Sequence, residues 1–196
     1  MRVLELFSGT GSVGKVCRAK GWGVESLDID PRADINIDIL EWDYKAYNVG
    51  DYDIIWASPP CTLYSSFQFY HDPLHQRDLS PANKLVLKTM DIISYFEPKY
   101  WFIENPQTGC LKDQEFMIDL PFHDVDYCMY DYGARKRTRI WTNYEEFEGK
   151  MCDKTCAYYG DNASPKHKRG HPELPSTRDG RHKIPAPLIR DLLGCL

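Results

Sequence analysis

Along the first 143 positions apolar residues fall in short blocks, each running into polar or turn-forming residues. Arg2–Phe7 is the first block and ends in Ser8-Gly9-Thr10-Gly11-Ser12-Val13-Gly14. Val13, Val16 and Cys17 then share one face of a helix that reaches about Lys20, where Gly21-Trp22-Gly23 breaks it. Val24–Ile29, Ile35–Ile39 and Tyr52–Ala57 read as further strands. In the last of these, Ile54, Ile55 and Trp56 form the continuous apolar run of a strand covered on both faces. Ser80-Pro81 opens a second helix, a capping hydroxyl followed by proline at the first helical position. Leu85, Val86, Met90, Ile93 and Phe96 carry it onward at helical spacing. Tyr100–Ile103 predicts a fifth strand, and Val125–Tyr130 with Thr138–Thr142 a closing pair. Strands alternating with helical segments predict an α/β fold, a mainly parallel sheet flanked by helices.

The pattern stops at Tyr144. From there to Arg178 the chain is polar, rich in Pro, Gly, Lys and His, and has no apolar period, which predicts a small irregular insert. Ile184–Leu193 regains an apolar pattern and predicts a final helix docking back on the sheet. The expected organisation is a catalytic domain over 1–143, an insert over 144–178 and a returning segment over 179–196.

Composition narrows the class. With 42% hydrophobic residues in 196, the chain can bury one good core. No apolar run approaches the ~20 residues of a membrane span, and the start of the chain has no signal-peptide pattern. A soluble, cytoplasmic protein without a membrane partner is expected. Seven cysteines, an odd number, suit core thiols, metal ligands or a nucleophile better than a disulfide framework. A net charge of −5 argues against a non-specific coat on nucleic acid, yet basic residues gather between Arg135 and Lys183. A small-molecule half and a polyanion-facing half would produce that asymmetry.

The candidate chemistry sits at the strand ends. Gly9-x-Gly11-x-x-Gly14 between a strand and a helix lets backbone approach a ligand at a helix N-terminus, and Asp28, ending the next strand, could accept two ribose hydroxyls. That logic serves NAD and S-adenosylmethionine equally, and a bare strand–helix turn would look the same. In an open parallel sheet ligands bind beyond the carboxyl ends of the strands. Those ends hold Phe7-Ser8-Gly9, Asp28, Asp38, Pro59-Pro60-Cys61 and Glu104-Asn105-Pro106. A thiol held on a rigid Pro-Pro turn near cationic groups is expected to ionise readily and attack as thiolate. A carboxyl at the end of the buried Tyr-Trp-Phe-Ile run is expected to hold its proton and so to serve as an acid. The bland alternatives are a buried structural cysteine and a carboxylate satisfied by Arg137 or Arg139.

Four segments together resemble a known family. Leu6-Phe7-Ser8-Gly9-Thr10-Gly11, Ser58-Pro59-Pro60-Cys61, Phe102-Ile103-Glu104-Asn105-Pro106 and Tyr132-Gly133-Ala134-Arg135-Lys136-Arg137-Thr138-Arg139 are similar to the ordered motifs of the DNA cytosine-5 methyltransferases. The resemblance implies a Rossmann-like, S-adenosylmethionine-dependent fold acting on cytosine-containing DNA, in a setting such as restriction–modification. It makes Cys61 the nucleophile at carbon 6, Glu104 the group at ring nitrogen 3, and Arg137 and Arg139 a clamp on the base. Phe7, Ser8, Gly9, Thr10, Gly11, Ile29, Ile39 and Pro59 would line the cofactor, with Asp28 at its ribose and Asp38 at its adenine edge. The loop after Cys61, with Ser65, would be the wedge that flips the base.

The chain departs from that family in several places. Pro106 stands where valine is usual, Arg135 replaces the glutamine before the R-x-R strand, and the final Gly-Asn is missing. Residues 144–178 replace a substantial target-recognition domain, so a partner protein supplying sequence recognition is one expectation. This insert carries Cys152-x3-Cys156-x10-His167-x3-His171, which could complete a structural zinc site, or be unligated. Arg135, Lys166, Lys168 and Arg169 would follow a phosphate backbone, or be a solvated face. Rival readings are the same chemistry on single strands or a mononucleotide, exocyclic amino methylation, a non-catalytic DNA-binding homologue and an NAD-linked oxidoreductase.

Overall fold

Side chains alternate along a strand, and in β1 (Arg2–Leu6) that alternation assigns the two faces of the sheet. Val3 joins a core with Ile54, Trp56 and Phe102, while Leu4 and Leu6 join a second core with Ile55, Ala57 and Ile103. The computed structural model describes residues 1–65, 78–164, 167–194 and 196, and over 161–164 and 167–169 the backbone alone.

β1 is followed by α1 (Ser12–Ala19), β2 (Gly23–Asp28), β3 (Ile35–Asn36), β4 (Ile54–Ala57), α2 (Ser80–Phe96), β5 (Tyr100–Pro106), β6 (Phe122–Asp126) and β7 (Arg137–Thr142). Seven strands form one sheet in the order β3-β2-β1-β4-β5-β7-β6. β1 to β5 are parallel neighbours, whereas β7 is antiparallel to both β5 and β6. The mainly parallel α/β sheet expected from the periodicity is therefore present, with one reversed strand. Strand order reverses between β1 and β4, the crevice where open α/β sheets bind ligands. One core holds α1 residues Val13, Val16 and Cys17 with Leu188, Ile189 and Leu192 of α4 (Ala186–Leu193). The other holds Val86, Ile92 and Phe96 of α2. Among the described residues no helix is long and apolar enough to cross a membrane.

Three expectations are corrected. The predicted strand Ile35–Ile39 pairs only at Ile35 and Asn36. The predicted strand Val125–Tyr130 ends at Asp126, and Tyr127–Tyr130 coils into a 3₁₀ turn closed by Asp131 at φ 62°. Buried Tyr127, Cys128 and Tyr130 thus come from a turn, whose apolar content sequence reading takes for a strand. The insert is not wholly irregular: β8 (Gly160–Ser164) and β9 (His167–Gly170) pair as an antiparallel hairpin. A short α3 (Arg178–His182), capped where Gly180 N donates to Thr177 Oγ1 at 3.1 Å, leads back towards the sheet.

One polar group is built into the core. Glu5 follows Val3 onto the α1 face, 3% exposed, and accepts from the N–H groups of Val13 at 3.1 Å and Gly14 at 2.8 Å. These are unpaired donors of the first turn of α1. A Cβ on Gly14 would meet Glu5 Oε2 at 2.7 Å, which is why the third glycine of the loop is needed. Burial pushes Glu5 up from 4.5 to about 7 against the pull of those two donors. Between these values the folded chain keeps a proton that the unfolded chain releases, so stability falls as pH rises from about 4.5 through about 7. Glu5→Gln should therefore narrow its stability deficit against the parent by on the order of 3 kcal/mol between pH 4.5 and 8. Denaturant titrations across that range check this; a pH-independent difference would refute it.

Candidate active site

The carboxyl ends of β1, β2, β4 and β5 open on one cleft of about 470 Å³. Phe7, Ser8, Gly9, Thr10, Asp28, Ile29, Asp38, Ile39, Pro59, Cys61 and Glu104, each singled out in the sequence, line it together. Gly11 does not line the cleft. It takes the left-handed backbone at the start of α1, at φ 64°.

The glycine loop is held from below. Gly9 N donates to Asp28 Oδ2 at 2.8 Å, and Asp30 N to Asp28 Oδ1 at 2.9 Å. Asp28 thus braces two loops while each oxygen keeps a lone pair for a ligand hydroxyl. Phe7 sits at φ 55°, a left-handed conformation a bulky residue rarely adopts, and lines the cleft. Ile29, 73% exposed, stands at its lip. Apolar Phe7, Ile29, Ile37 and Ile39 beside Asp28 and Asp38 offer walls to a flat base and acceptors to a ribose. These acceptors and walls fit S-adenosylmethionine, and the cleft has the volume of a cofactor pocket.

The Pro-Pro turn is tied to β5. Asn105 Nδ2 donates to Pro59 O at 2.8 Å, while its Oδ1 is buried without a partner. Tyr64 N and Ser65 N donate to Cys61 O at 3.1 and 2.9 Å, so the chain turns sharply after the thiol. Residues 66–77, most of the expected wedge loop, lie outside the described residues.

The electrostatics of Cys61 differ from expectation. Burial and the neighbouring Glu104 carboxylate raise it above the ordinary thiol value, and Lys136 and a backbone hydrogen bond offset this only partly. The rigid turn near cations does not lower it, because burial and a carboxylate outweigh one lysine. Glu104, 6% exposed, accepts from the Tyr127 hydroxyl at 2.9 Å and has Lys136 Nζ at 3.7 Å.

Neither arginine expected to clamp the base, Arg137 or Arg139, lines the cleft. Glu104 stands opposite Ile140 in the β5–β7 ladder, so even-numbered residues of β7 share its face and odd-numbered ones point to the other. Arg139 is bound to Asp124 by two contacts of 2.8 and 2.9 Å and lies over the Phe122 ring. Arg137 Nε lies 3.5 Å from Asp126 Oδ1. Arg135 donates to Asp126 Oδ2 at 2.9 Å and to Cys152 O at 3.4 Å, so it is committed within the protein. Lys136, passed over in the sequence as the variable residue between Arg135 and the R-x-R arginines, lines the cleft beside Glu104. Only the period of two, counted from a known register, could have found it.

The tail completes the rim. Arg178, Asp179, His182 and Ile184 line the cleft, Arg32 pairs with Asp179 at 3.3 Å, and Ser12 Oγ accepts from Ile184 N at 3.2 Å. Of the expected metal ligands, Cys152, Cys156 and His171 come together, joined by Cys128. His167, Lys168 and Arg169 fall in β9 with only their backbone described, and Lys166 lies outside the described residues.

Residues 1–115 match the family described as C-5 cytosine-specific DNA methylase. Over 214 aligned residues, 98% of this chain and 99% of the relative, the chain is 37% identical to a protein of Frog virus 3 (isolate Goorha) named "Probable DNA (cytosine-5)-methyltransferase". The solved structures of S. pombe Dnmt2 methyltransferase and of Entamoeba histolytica methyltransferase EhMeth share the fold. Their TM-scores are 0.52 and 0.50 at 17% and 19% identity, over 78% of this chain. The chain spans about half the length of these two structures, 52% and 55%.

A raised thiol reacts slowly at neutral pH. Iodoacetamide labelling of Cys61, followed by peptide mass spectrometry, should still be accelerating above pH 9. Glu104→Gln should speed it several-fold at pH 8 by removing the opposing carboxylate. Labelling that has levelled off by pH 7 would contradict this electrostatic balance.

Proposed function

The chain belongs to the C-5 cytosine-specific DNA methylases, and on that footing we propose that it methylates cytosine through a transient bond between Cys61 and carbon 6 of the base. One observation carries the route: Cys61, Glu104 and Lys136 line the same cleft as the glycine loop, so nucleophile, acid and cofactor cradle face one space.

Carbon 5 of cytosine is a poor nucleophile until the ring gains electrons. Cys61 releases its proton to solvent as the base seats, and the thiolate adds to carbon 6, moving the carbon 5–carbon 6 π pair towards carbon 5. Glu104, steadied by Tyr127, takes a proton from solvent as the base seats and shares it with ring nitrogen 3, answering the charge that develops there. Lys136 supplies the positive charge that the family resemblance assigned to Arg137 and Arg139. When bound, S-adenosylmethionine supplies a methyl group activated by its sulfonium. Phe7, Ser8, Gly9, Ile29, Ile39 and Pro59 would hold it, with Asp28 at the ribose and Asp38 at the adenine. Solvent water then takes the carbon 5 proton, the electron pair of that C–H bond re-forms the carbon 5–carbon 6 double bond as the Cys61 thiolate leaves, and ring nitrogen 3 returns its proton to Glu104.

In a duplex the target base must leave the stack, with the segment from Ser65 onward as the wedge. Residues 144–178 stand in place of a target-recognition domain, with Lys166, Lys168 and Arg169 along the phosphates and zinc as the insert's structural staple. An insert this small also suits a partner protein that supplies sequence recognition.

Incubation with labelled S-adenosylmethionine and duplex, single-stranded or mononucleotide cytosine tests the reading. The expected product is 5-methylcytosine in DNA, and a 5-fluorocytosine oligonucleotide should trap an adduct at Cys61. A methyl group on the exocyclic nitrogen, or no adduct, would overturn the covalent route. Cys61→Ser should reduce turnover by at least a thousand-fold. Lys136→Ala should cost about ten- to a hundred-fold in kcat, a loss of ~1.4–2.7 kcal/mol of transition-state stabilisation. Arg139→Ala should chiefly lower stability. Equal kcat losses at Lys136 and Arg139 would restore the arginine clamp.

A further inference from the structure

Outside the cleft, the described residues hold one group of soft metal ligands: Cys128, Cys152, Cys156 and His171. We propose that these four side chains bind one tetrahedral zinc ion that fastens the insert to the catalytic sheet. The inference rests on the reading of the insert as a zinc-stapled lobe and changes its ligands, replacing His167 with Cys128.

The geometry is that of a closed structural site. The three sulfurs and one imidazole nitrogen all lie within 4.8 Å of one another. Cys152 Sγ and Cys156 Sγ stand 3.3 and 3.2 Å from His171 Nε2. A tetrahedron with Zn–S near ~2.3 Å and Zn–N near ~2.0 Å places its ligand atoms ~3.5–3.8 Å apart, so small adjustments seat the ion. Three thiolates and a neutral imidazole select zinc over magnesium or calcium, which take oxygen ligands. Cys128 and Cys152 are buried at 3% and 7% exposure, away from bulk water.

The surroundings form a supporting shell. Lys154 N points at Cys152 Sγ at 3.4 Å, with Lys154 at φ 77°, so the turn between the two insert cysteines directs an N–H at a ligand sulfur. Cys152 N donates to Asp126 Oδ2 at 2.9 Å, and the same oxygen accepts from Arg135 at 2.9 Å. Such outer partners orient first ligands in metal sites.

What distinguishes this set from the expected one is where Cys128 lies. It belongs to the 3₁₀ turn after β6, and its neighbour Tyr127 holds Glu104. A ligand from the catalytic domain makes the ion a bolt between two parts of the chain. Ligands taken only from 152–171 would make it a staple inside the insert. The zinc therefore also positions the Tyr127 turn, and through it Glu104.

The test uses the full-length chain purified without chelators. Elemental analysis should find one zinc per chain, and zinc-edge X-ray absorption of the parent protein should report three sulfurs and one nitrogen. His167→Ala should keep the metal, whereas Cys128→Ser should lose it to a chelator at least ten times faster. Two sulfurs and two nitrogens, or loss of zinc in His167→Ala, would overturn this ligand set while leaving a zinc in the insert. A folded chain with no zinc, or with iron in its place, would overturn both. None of these readouts depends on methyl transfer, so their failure leaves the Cys61 route standing.

Discussion

A carboxylate buried at the end of a central strand must be met by donors, and the second half of this chain is arranged around meeting Glu104. Burying a charged or hydrogen-bonding carboxyl without partners costs several kcal/mol, and β5 itself offers none on that face. Tyr127 arrives from the turn after β6 and Lys136 from the approach to β7. Each is held by further contacts. Lys136 Nζ donates to Arg181 O at 3.3 Å and lies over the Tyr127 ring, while Arg135 beside it is anchored on Asp126. Asp126 in turn accepts from Cys152 N. One buried acid thus links the sheet, the insert and the returning tail.

Glu5 answers the same demand differently. Its donors are the free N–H groups at the start of α1, so the requirement is satisfied locally and the glycine loop is locked to β1. The loop therefore reaches the cleft with its shape set, and Asp28 braces it from the next strand. A preformed cradle loses little conformational freedom when a ligand enters. The two acids occupy the same face of the sheet, Glu5 behind the cofactor loop and Glu104 at the proposed base site, on either side of β4, the strand that leads to Cys61.

The first half of this arrangement was legible in the sequence because parallel strands deliver their carboxyl ends to one edge. Reading Phe7-Ser8-Gly9, Asp28, Asp38, Pro59-Pro60-Cys61 and Glu104 off those ends needed no register. The second half depends on register, which composition does not carry. Moving by one residue at the start of β7 exchanges Lys136 for Arg137 as the cation beside Glu104, and nothing in a run of basic residues marks which one faces inward. Tyr127 and Cys128 were obscured for a related reason: an apolar run reads as strand until the left-handed Asp131 reveals a turn. Cys128 also lies far upstream of Cys152, so spacing rules for metal ligands pass over it. The hairpin β8–β9 has no apolar alternation to announce it, since its pairing is a matter of backbone hydrogen bonds.

The placement of Glu104 beside Cys61 resolves a tension in the proposed chemistry. A thiolate permanently exposed in an open cleft would be open to oxidation and alkylation, yet the reaction requires a thiolate. In the free protein, burial and the Glu104 carboxylate keep the thiol protonated. On the proposed route, a seated cytosine engages Glu104 through a shared proton at ring nitrogen 3, and the carboxylate stops opposing ionisation of the sulfur. Lys136, whose charge favours the thiolate in either state, then acts with less opposition. The acid that assists the base is thus also the restraint on the nucleophile, and arrival of the base releases it. Substituting arginine for Lys136 would keep the charge but spread it over a fork that pairs tightly with carboxylates. A compact ammonium at 3.7 Å, by contrast, leaves Glu104 free to engage the base.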